Sequence, residues 1–375
     1  MSKQRVLPLD AEEREARVAL FLRPGVGEKR FHFLLSHFGS AVRAVEAGFE
    51  TRQTTFAPPS DAPDGARVDT PDPVTQRRLA RRELNSTHRM GGRLLVYGDR
   101  EYPTALAALR HPPPVLWVLG TLKDPPAAAR AVAIVGQRKA TGQGKQTATE
   151  IAIHLSRAGY TIVSGGAYGI DSAAHRGALE GGGHTVCVLG SALDRPYPTR
   201  HIPLFRNILQ SGGAVLSPFP LQTDPHRGCF LCRNRVVAGL AQAVIVVEAG
   251  HRSGAHNTVF HARRMQKTVL ACPGSPGTQF LLNGGAGEIQ DGETAARALA
   301  GAVSPQRSGT PCAPWQGLDD DAQKLVRRLV AKPELTAAQL AEWCAQPLAN
   351  TVALLMELEI DGRVVSTPGG RYRVP

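Results

Sequence analysis

The chain has 375 residues, 44 Lys+Arg against 32 Asp+Glu, 42% hydrophobic residues and a formal net charge of +12. That length predicts two or three domains at roughly 100–200 residues each, and the apolar content gives each a core, which excludes disorder of the whole chain. With only 20% charged residues, the positive excess belongs on folded surface rather than in Lys-rich tails; nucleic acid is the commonest partner of such a surface, with anionic membrane or acidic protein as alternatives.

The amino-terminal stretch MSKQRVLPLDAEEREARVAL has no apolar core of signal-peptide length. No segment approaches the ~18 uninterrupted apolar residues of a membrane span, so a cytoplasmic protein without membrane association is expected. The first block reads as helical, and its most specific string is LRPGVGEKRFHFLLSHFGS, where Gly25 and Gly27 flank Val26 ahead of an apolar helix. Such a turn resembles a helix-hairpin-helix or sterile-alpha-motif (SAM) turn. It suits either a DNA phosphate at a helix amino terminus or plain packing of two helices. Residues 1–50 carry eight basic and seven acidic side chains, a net +1, which favours neither. Pro-rich linkers follow at 54–73 and 301–314, so the expected units are 1–86, 87–300 and 315–375, with 301–314 as a linker.

The middle block alternates short, Gly-bounded apolar runs with amphipathic stretches. RLLVYG, VLWVLG, AVAIVG, YTIVSG, HTVCVLG, GAVLS, AVIVVEAG and KTVLACPG read as strands, with helices at 143–158, 171–180, 200–211 and 256–266 between them. Continuous apolar runs are the mark of strands covered on both faces, so a Rossmann-like, doubly wound parallel sheet is expected, with function in the loops after its strands. Six cysteines, two of them (Cys187 and Cys272) inside apolar runs, read as reduced thiols. Cys229 and Cys232 form one CxxC behind His226, but zinc needs a fourth ligand and usually a second pair, so no metal or cofactor is expected.

Four loops carry the candidate chemistry. After AVAIVG come Gly136, Arg138, Lys139 and Thr141 ahead of a helix, the parts of a phosphate cradle without a Walker A or GxGxxG pattern. After YTIVSG, the small residues Ser164, Gly165 and Gly166 allow close backbone approach; Asp171 reads as a helix cap and His175 as a packed histidine. Phe230, Arg233, Asn234 and Arg235 open the next helix, with guanidiniums suited to phosphate and a ring able to stack on a base, unless one arginine is spent on Glu248 or Asp171. Ser253, Gly254 and Thr258 follow AVIVVEAG. The last block reads as three helices and a hairpin, the order of a winged helix. Its third helix carries Glu357, Glu359 and Asp361 with no Lys or Arg, which argues against insertion into a DNA groove.

AIVGQRKATGQG, IVSGGAYGIDSAAHRGALEGGGHTVCVLGSALDRPYP, RNRVVAGLAQAVIVVEAGHRSGAHNT and ACPGSPGTQFLLNGGA, in that order, resemble the signatures of the DNA-processing protein A (DprA/Smf) family over about residues 93–290. The resemblance implies a homodimer that binds single-stranded DNA without catalysis and loads the RecA recombinase onto it during natural transformation; binding of double strands stays open. It also implies that Arg138, Thr141, Ser164, Gly165, Arg233, Asn234, Arg235, Ser253, Gly254 and Thr258 line the strand pocket. Gln137 stands in place of the usual serine, Pro218 in place of a glutamate, Leu231 in place of a proline and Cys232 in place of a basic residue. The rival readings are a phosphoribohydrolase-like nucleotide-hydrolysing enzyme, whose catalytic Glu motif is missing, and a double-strand regulator acting through the winged helix. Residues 129–280 hold 16 Lys+Arg against six Asp+Glu, a net +10, whereas 314–375 hold seven against eight, a net −1. The positive charge therefore belongs to the core.

Overall fold

The computed structural model describes residues 9–47, 72–122, 130–251, 253–301, 320–360, 363–367 and 370–374. Most of both Pro-rich stretches, together with Arg252 and Asp361, lies outside the described residues.

Among the described residues four helices come first: α1 (Ala11–Leu22), α2 (Glu28–Phe38), α3 (Ala41–Glu46) and α4 (Pro73–Arg89). Their starts follow from local chemistry. Asp10, Ser40 and Asp72 each accept a hydrogen bond from the backbone N–H three residues on, at 2.7, 3.2 and 3.0 Å, satisfying an otherwise orphaned donor. Gly39 ends α2 at φ +76°, a left-handed conformation that favours glycine. The apolar faces of these helices do not form a separate core. Leu20, Phe31 and Leu34 join Leu94, Trp117, Leu189 and Phe205 in one buried cluster on a face of the main sheet.

Among the described residues that sheet has nine strands. In chain order the elements are β1 (Gly92–Val96), α5 (Thr104–Ala107), β2 (Val115–Gly120), β3 (Ala131–Val135), α6 (Gly142–Arg157), β4 (Thr161–Ser164), α7 (Ile170–Glu180), β5 (Thr185–Val188), α8 (Ile202–Gln210) and β6 (Ala214–Ser217). There follow α9 (Arg227–Leu240), β7 (Ala243–Val246), α10 (Ala255–Arg264), β8 (Thr268–Ala271), α11 (Pro276–Asn283), β9 (Gly287–Glu288) and α12 (Gly292–Gly301). The spatial order is β1-β2-β6-β5-β4-β3-β7-β8-β9. From β6 to β9 every pairing is parallel, and all eight apolar runs of the sequence are strands of this sheet. The first two differ from a purely parallel expectation: β1 pairs antiparallel with β2, and β2 antiparallel with β6. A continuous apolar run reports burial on both faces, not direction, so the sequence could not distinguish them.

Strand β3 pairs with β4 on one side and β7 on the other. The chain order reverses there, and a crevice opens beyond the carboxyl ends of strands at such a point. The last described block comprises α13 (Asp320–Ala331), β10 (Leu335–Thr336), α14 (Ala337–Cys344), α15 (Leu348–Ile360), β11 (Val365–Thr367) and β12 (Arg371–Arg373), with strand order β10-β12-β11. It buries its own cluster around Leu325, Leu329, Leu340 and Leu355. Among the described residues no helix is long and apolar enough to cross a membrane.

Candidate nucleic-acid interface

A cleft of about 910 Å³ lies at the reversal point. Gly136, Arg138, Lys139, Gly165, Phe230, Arg233, Asn234, Ser253, Gly254 and Thr258 line it, joined by Gln137, Asp171, Tyr197, His226 and Arg227. The loops after β3, β4 and β7 and the first half of α9 thus meet because three adjacent parallel strands end there.

The loop after β3 is not an empty cradle. The carboxylate of Glu248, 8% exposed and two residues beyond β7, sits beneath the amino terminus of α6. It accepts from the Thr141 N–H at 3.1 Å, from Thr141 Oγ1 at 2.9 Å and from Gln137 Nε2. Thr141 in turn caps α6 by accepting from Gly144 N–H at 2.9 Å. A Cβ at Gly144 would stand 1.8 Å from Glu248 Oε2, so glycine is required for the carboxylate to fit. A helix amino terminus attracts an anion, and here the protein supplies its own. Thr141 is exposed, but its hydroxyl is spent on Glu248 and it does not line the cleft, which leaves the exposed Arg138 and Lys139 as the cations this loop offers to solvent.

The loop after β4 is organised similarly. Asp171 lies inside the first turn of α7 rather than at its N-cap, which is Gly169 without a side-chain cap, so the capping role expected of it is not the one it plays. Its carboxylate accepts from Ala167 N–H at 3.4 Å. Burial raises its pKa, and Arg233 opposes that rise. Arg233 is only 4% exposed and donates through Nη1 to the carbonyls of Gly165 and Val188. Burial lowers its pKa while Asp171 pulls it back. Arg233 is thus a strut tying α9 to the ends of β4 and β5, and a Cβ at Gly165 would meet its guanidinium at 2.5 Å. Ser164 is fully buried, donating to the Ile134 carbonyl at 2.6 Å, and Gly166 at φ +69° packs near Cys187; neither lines the cleft. His175 is fully buried, with Nδ1 2.8 Å from Thr185 Oγ1.

On the opposite wall, Asn234 Nδ2 donates to the carbonyl of Gly254 and to Asn257 Oδ1, both at 3.3 Å, joining α9 to α10. Ser253 Oγ accepts from Ala255 N–H at 3.3 Å, and Thr258 is 2% exposed. The guanidinium of Arg138 lies 4.9 Å from the centroid of the Phe230 ring, and Tyr197 meets that ring edge-on at 5.7 Å. The ring face a base would use is therefore covered by an arginine, itself a stacking surface for bases. Arg235 is not in the cleft. It points from the other side of α9 to the carboxylate of Glu28 in the first turn of α2 and donates to the His111 carbonyl at 2.6 Å. Of the arginine partners named from the sequence, Asp171 faces Arg233 electrostatically, whereas Arg235 pairs with Glu28. Among the described residues no group of three His, Cys, Asp or Glu could hold a metal.

A family model described as DNA recombination-mediator protein A matches residues 93–302, more than half the chain, and one described as the DprA winged helix domain matches 310–370. The chain belongs to the DprA/Smf family. A putative DNA processing protein DprA of Mycobacterium tuberculosis is 42% identical over 237 residues, covering 57% of this chain but only 61% of that relative. Protein Smf of Synechocystis is 33% identical, covering 74% of this chain and 79% of its own. Among solved structures, DprA from Streptococcus pneumoniae aligns at a TM-score of 0.58 with 25% identity, covering 78% of this chain and 98% of that one. DNA processing protein A from Helicobacter pylori, whose structure is described in terms of its single-stranded DNA binding mode, aligns at 0.50 with 32% identity, covering 56% and 96%.

Membership gives the departures from the DprA pattern a structural reading. Gln137 donates to Glu248, a bond that a shorter serine would make with different geometry. Ser217 keeps its place, donating to the Ser191 carbonyl at 2.7 Å and accepting from Phe219 N–H at 3.1 Å. Cys232 is exposed on α9. Sequence reasoning did not single out Tyr197 or Arg227 as cleft residues, and it treated Glu248 only as a possible arginine partner. The usable signal for Glu248 was its place just past β7 opposite a loop full of donors.

Proposed function

We propose that this chain captures single-stranded DNA across the cleft through its sugar-phosphate backbone, protects it, and, as a homodimer formed through the α/β core, loads RecA recombinase during natural transformation. The observation that carries the reading is the pair of exposed cations, Arg138 and Lys139, held over the cleft by a loop whose own anion site Glu248 already fills. Phosphate neutralisation of that kind is sequence-independent. The Arg138–Phe230–Tyr197 arrangement favours an unstacked base, and hence single over double strands. The two buried carboxylates nearest the cleft, Glu248 and Asp171, each brace a loop, which supports binding without catalysis. Recombinase loading draws its support from the family, whose description is that of a recombination mediator; dimerisation follows only from the resemblance to that family.

Fluorescence anisotropy of a labelled oligothymidine across a salt series tests the reading. Replacing Arg138 with alanine lowers affinity and makes the slope of log K against log salt shallower by about 0.7, the value of one single-strand phosphate contact. An unchanged slope places the DNA elsewhere.

A further inference from the structure

The sequence reading passed over α4, which is strongly basic. It carries Arg77, Arg78, Arg81, Arg82 and Arg89 against a single acid, Glu83. Two of these arginines are neutralised within the fold: Arg77 pairs with Glu12 at 3.0 Å and Arg81 with Glu15 at 2.8 Å. Arg78, Arg82 and Arg89 are exposed, and among the described residues none makes an ion pair. At 3.6 residues per turn these three lie within about 40° of one another around the helix and span roughly 16 Å along it. The opposite face, through Gln76, Ala80 and Thr87, is buried. The helix is therefore anchored on one side and shows on the other a line of guanidiniums without carboxylate partners, of which Arg89 donates to Ser86 Oγ at 3.0 Å.

This line is adjacent to the cleft. Arg82 and Arg89, with Ser86, line a recess of about 380 Å³ whose far wall is Asp194, Leu221 and Gln222. Asp194 is three residues from Tyr197 and Gln222 three from Pro225, and both Tyr197 and Pro225 line the cleft. Three residues span at most about 11 Å, so two chain segments connect the depressions over a short distance. The carboxylates in the recess are engaged by the protein. Glu83 accepts from Trp117 Nε1 at 2.9 Å and from Leu221 N–H at 2.6 Å, and Asp194 accepts from Gln222 N–H at 2.9 Å. Arg89 uses one N–H on Ser86 Oγ and keeps its others, so the recess still offers guanidinium donors without a carboxylate, which suit phosphate oxygens.

We infer that α4 is a second contact track for the backbone of the same single strand, which leaves the cleft over the loops after β5 and β6 and runs along Arg82, Arg89 and Arg78. The inference rests on the cleft being the strand site. The track makes affinity depend on strand length, because a short strand fills the cleft alone.

The test compares oligothymidines of about 6 and about 20 nucleotides, lengths that bracket common single-strand site sizes, for the full chain and for the triple variant Arg78→Gln, Arg82→Gln, Arg89→Gln. These side chains are exposed and make no ion pair among the described residues, so coincident thermal unfolding of the variant and the original chain verifies the fold. The variant is expected to bind the short strand unchanged, to lose about tenfold on the long strand in low salt, and to show a long-strand salt slope shallower by about 2, three contacts at ~0.7 each. Unchanged long-strand binding, or equal loss on both lengths, overturns the track. Arg138→Ala in the same assay separates the two ideas: it weakens both lengths if the cleft holds the strand, and a failure there removes the cleft reading itself.

Discussion

At the scale of single residues, the molecule separates groups that hold the cleft from groups that can meet a ligand. Arg138 and Arg233 look alike in sequence, yet one is exposed and the other is 4% exposed and bonded to two carbonyls. Sequence revealed that both belong to the site, because the loops after β3 and before β7 are marked by their composition. It could not reveal which was a strut, since burial depends on where β4 and β5 end. The same burial makes a pH prediction. His175, enclosed beneath the loop after β4, has its pKa pushed down to about 3 by burial. Its folded-state pKa lies below the unfolded value near 6.5, so between those values the unfolded chain binds a proton that the folded chain refuses. Its stabilising contribution is complete above about pH 6.5 and is lost as pH falls toward 3. By pH 5 the loss is about 2 kcal/mol. Urea unfolding at about pH 7.5 and about pH 5 checks this against His175→Asn, which retains the influence of other groups such as Asp171. The original chain should lose about 2 kcal/mol more than the variant between the two; equal losses would clear His175 of the effect.

At the scale of elements, α9 is the piece that joins site to scaffold. One side presents Phe230, Arg233 and Asn234 to the cleft, and another sends Arg235 to Glu28 on α2. Its carboxyl end is satisfied by Lys267, whose Nζ donates to the carbonyls of Ala238 at 2.8 Å, Gly239 at 2.7 Å and Ala241 at 2.5 Å. The string RNR marks this helix in sequence, but nothing in it separates an arginine that faces a ligand from one that faces another helix; that depends on how α2 docks. α4 was harder to read for a different reason. It has few apolar residues among its many arginines, and its stability comes from packing on α1 and β1. Because Arg235 is paired inside the protein, Arg235→Ala should leave the salt slope of strand binding unchanged. It should also destabilise the chain by about 2 kcal/mol, since Glu28 would keep a half-buried charge without its guanidinium partner. Loss of stability with a shallower slope would instead make Arg235 a phosphate contact. Thermal unfolding and the anisotropy salt series measure the two quantities on one preparation.

At the scale of the whole molecule, charge and topology agree on where the ligand belongs. The core from 129 to 280 holds a net +10, and the reversal of strand order between β4, β3 and β7 directs its loops into one cleft. The winged-helix block, by contrast, has a net charge of −1 over residues 314–375. Its described acidic side chain on α15, Glu359, accepts from Ser366 N–H at 3.0 Å and Ser366 Oγ at 2.6 Å, binding the helix to the hairpin. That block closes its own apolar cluster around Leu325 and Leu355, and the clusters of the core contain none of its residues. Removing residues 315–375 should therefore leave the core's apolar clusters intact, and with them its strand-binding face. The expected affinity for oligothymidine is within about threefold of the full chain, with the same salt slope, because a helix bearing net negative charge contributes no counterion release. A shallower slope after truncation would show that basic residues of the block, such as Arg371 or Arg373 in the hairpin, reach the strand.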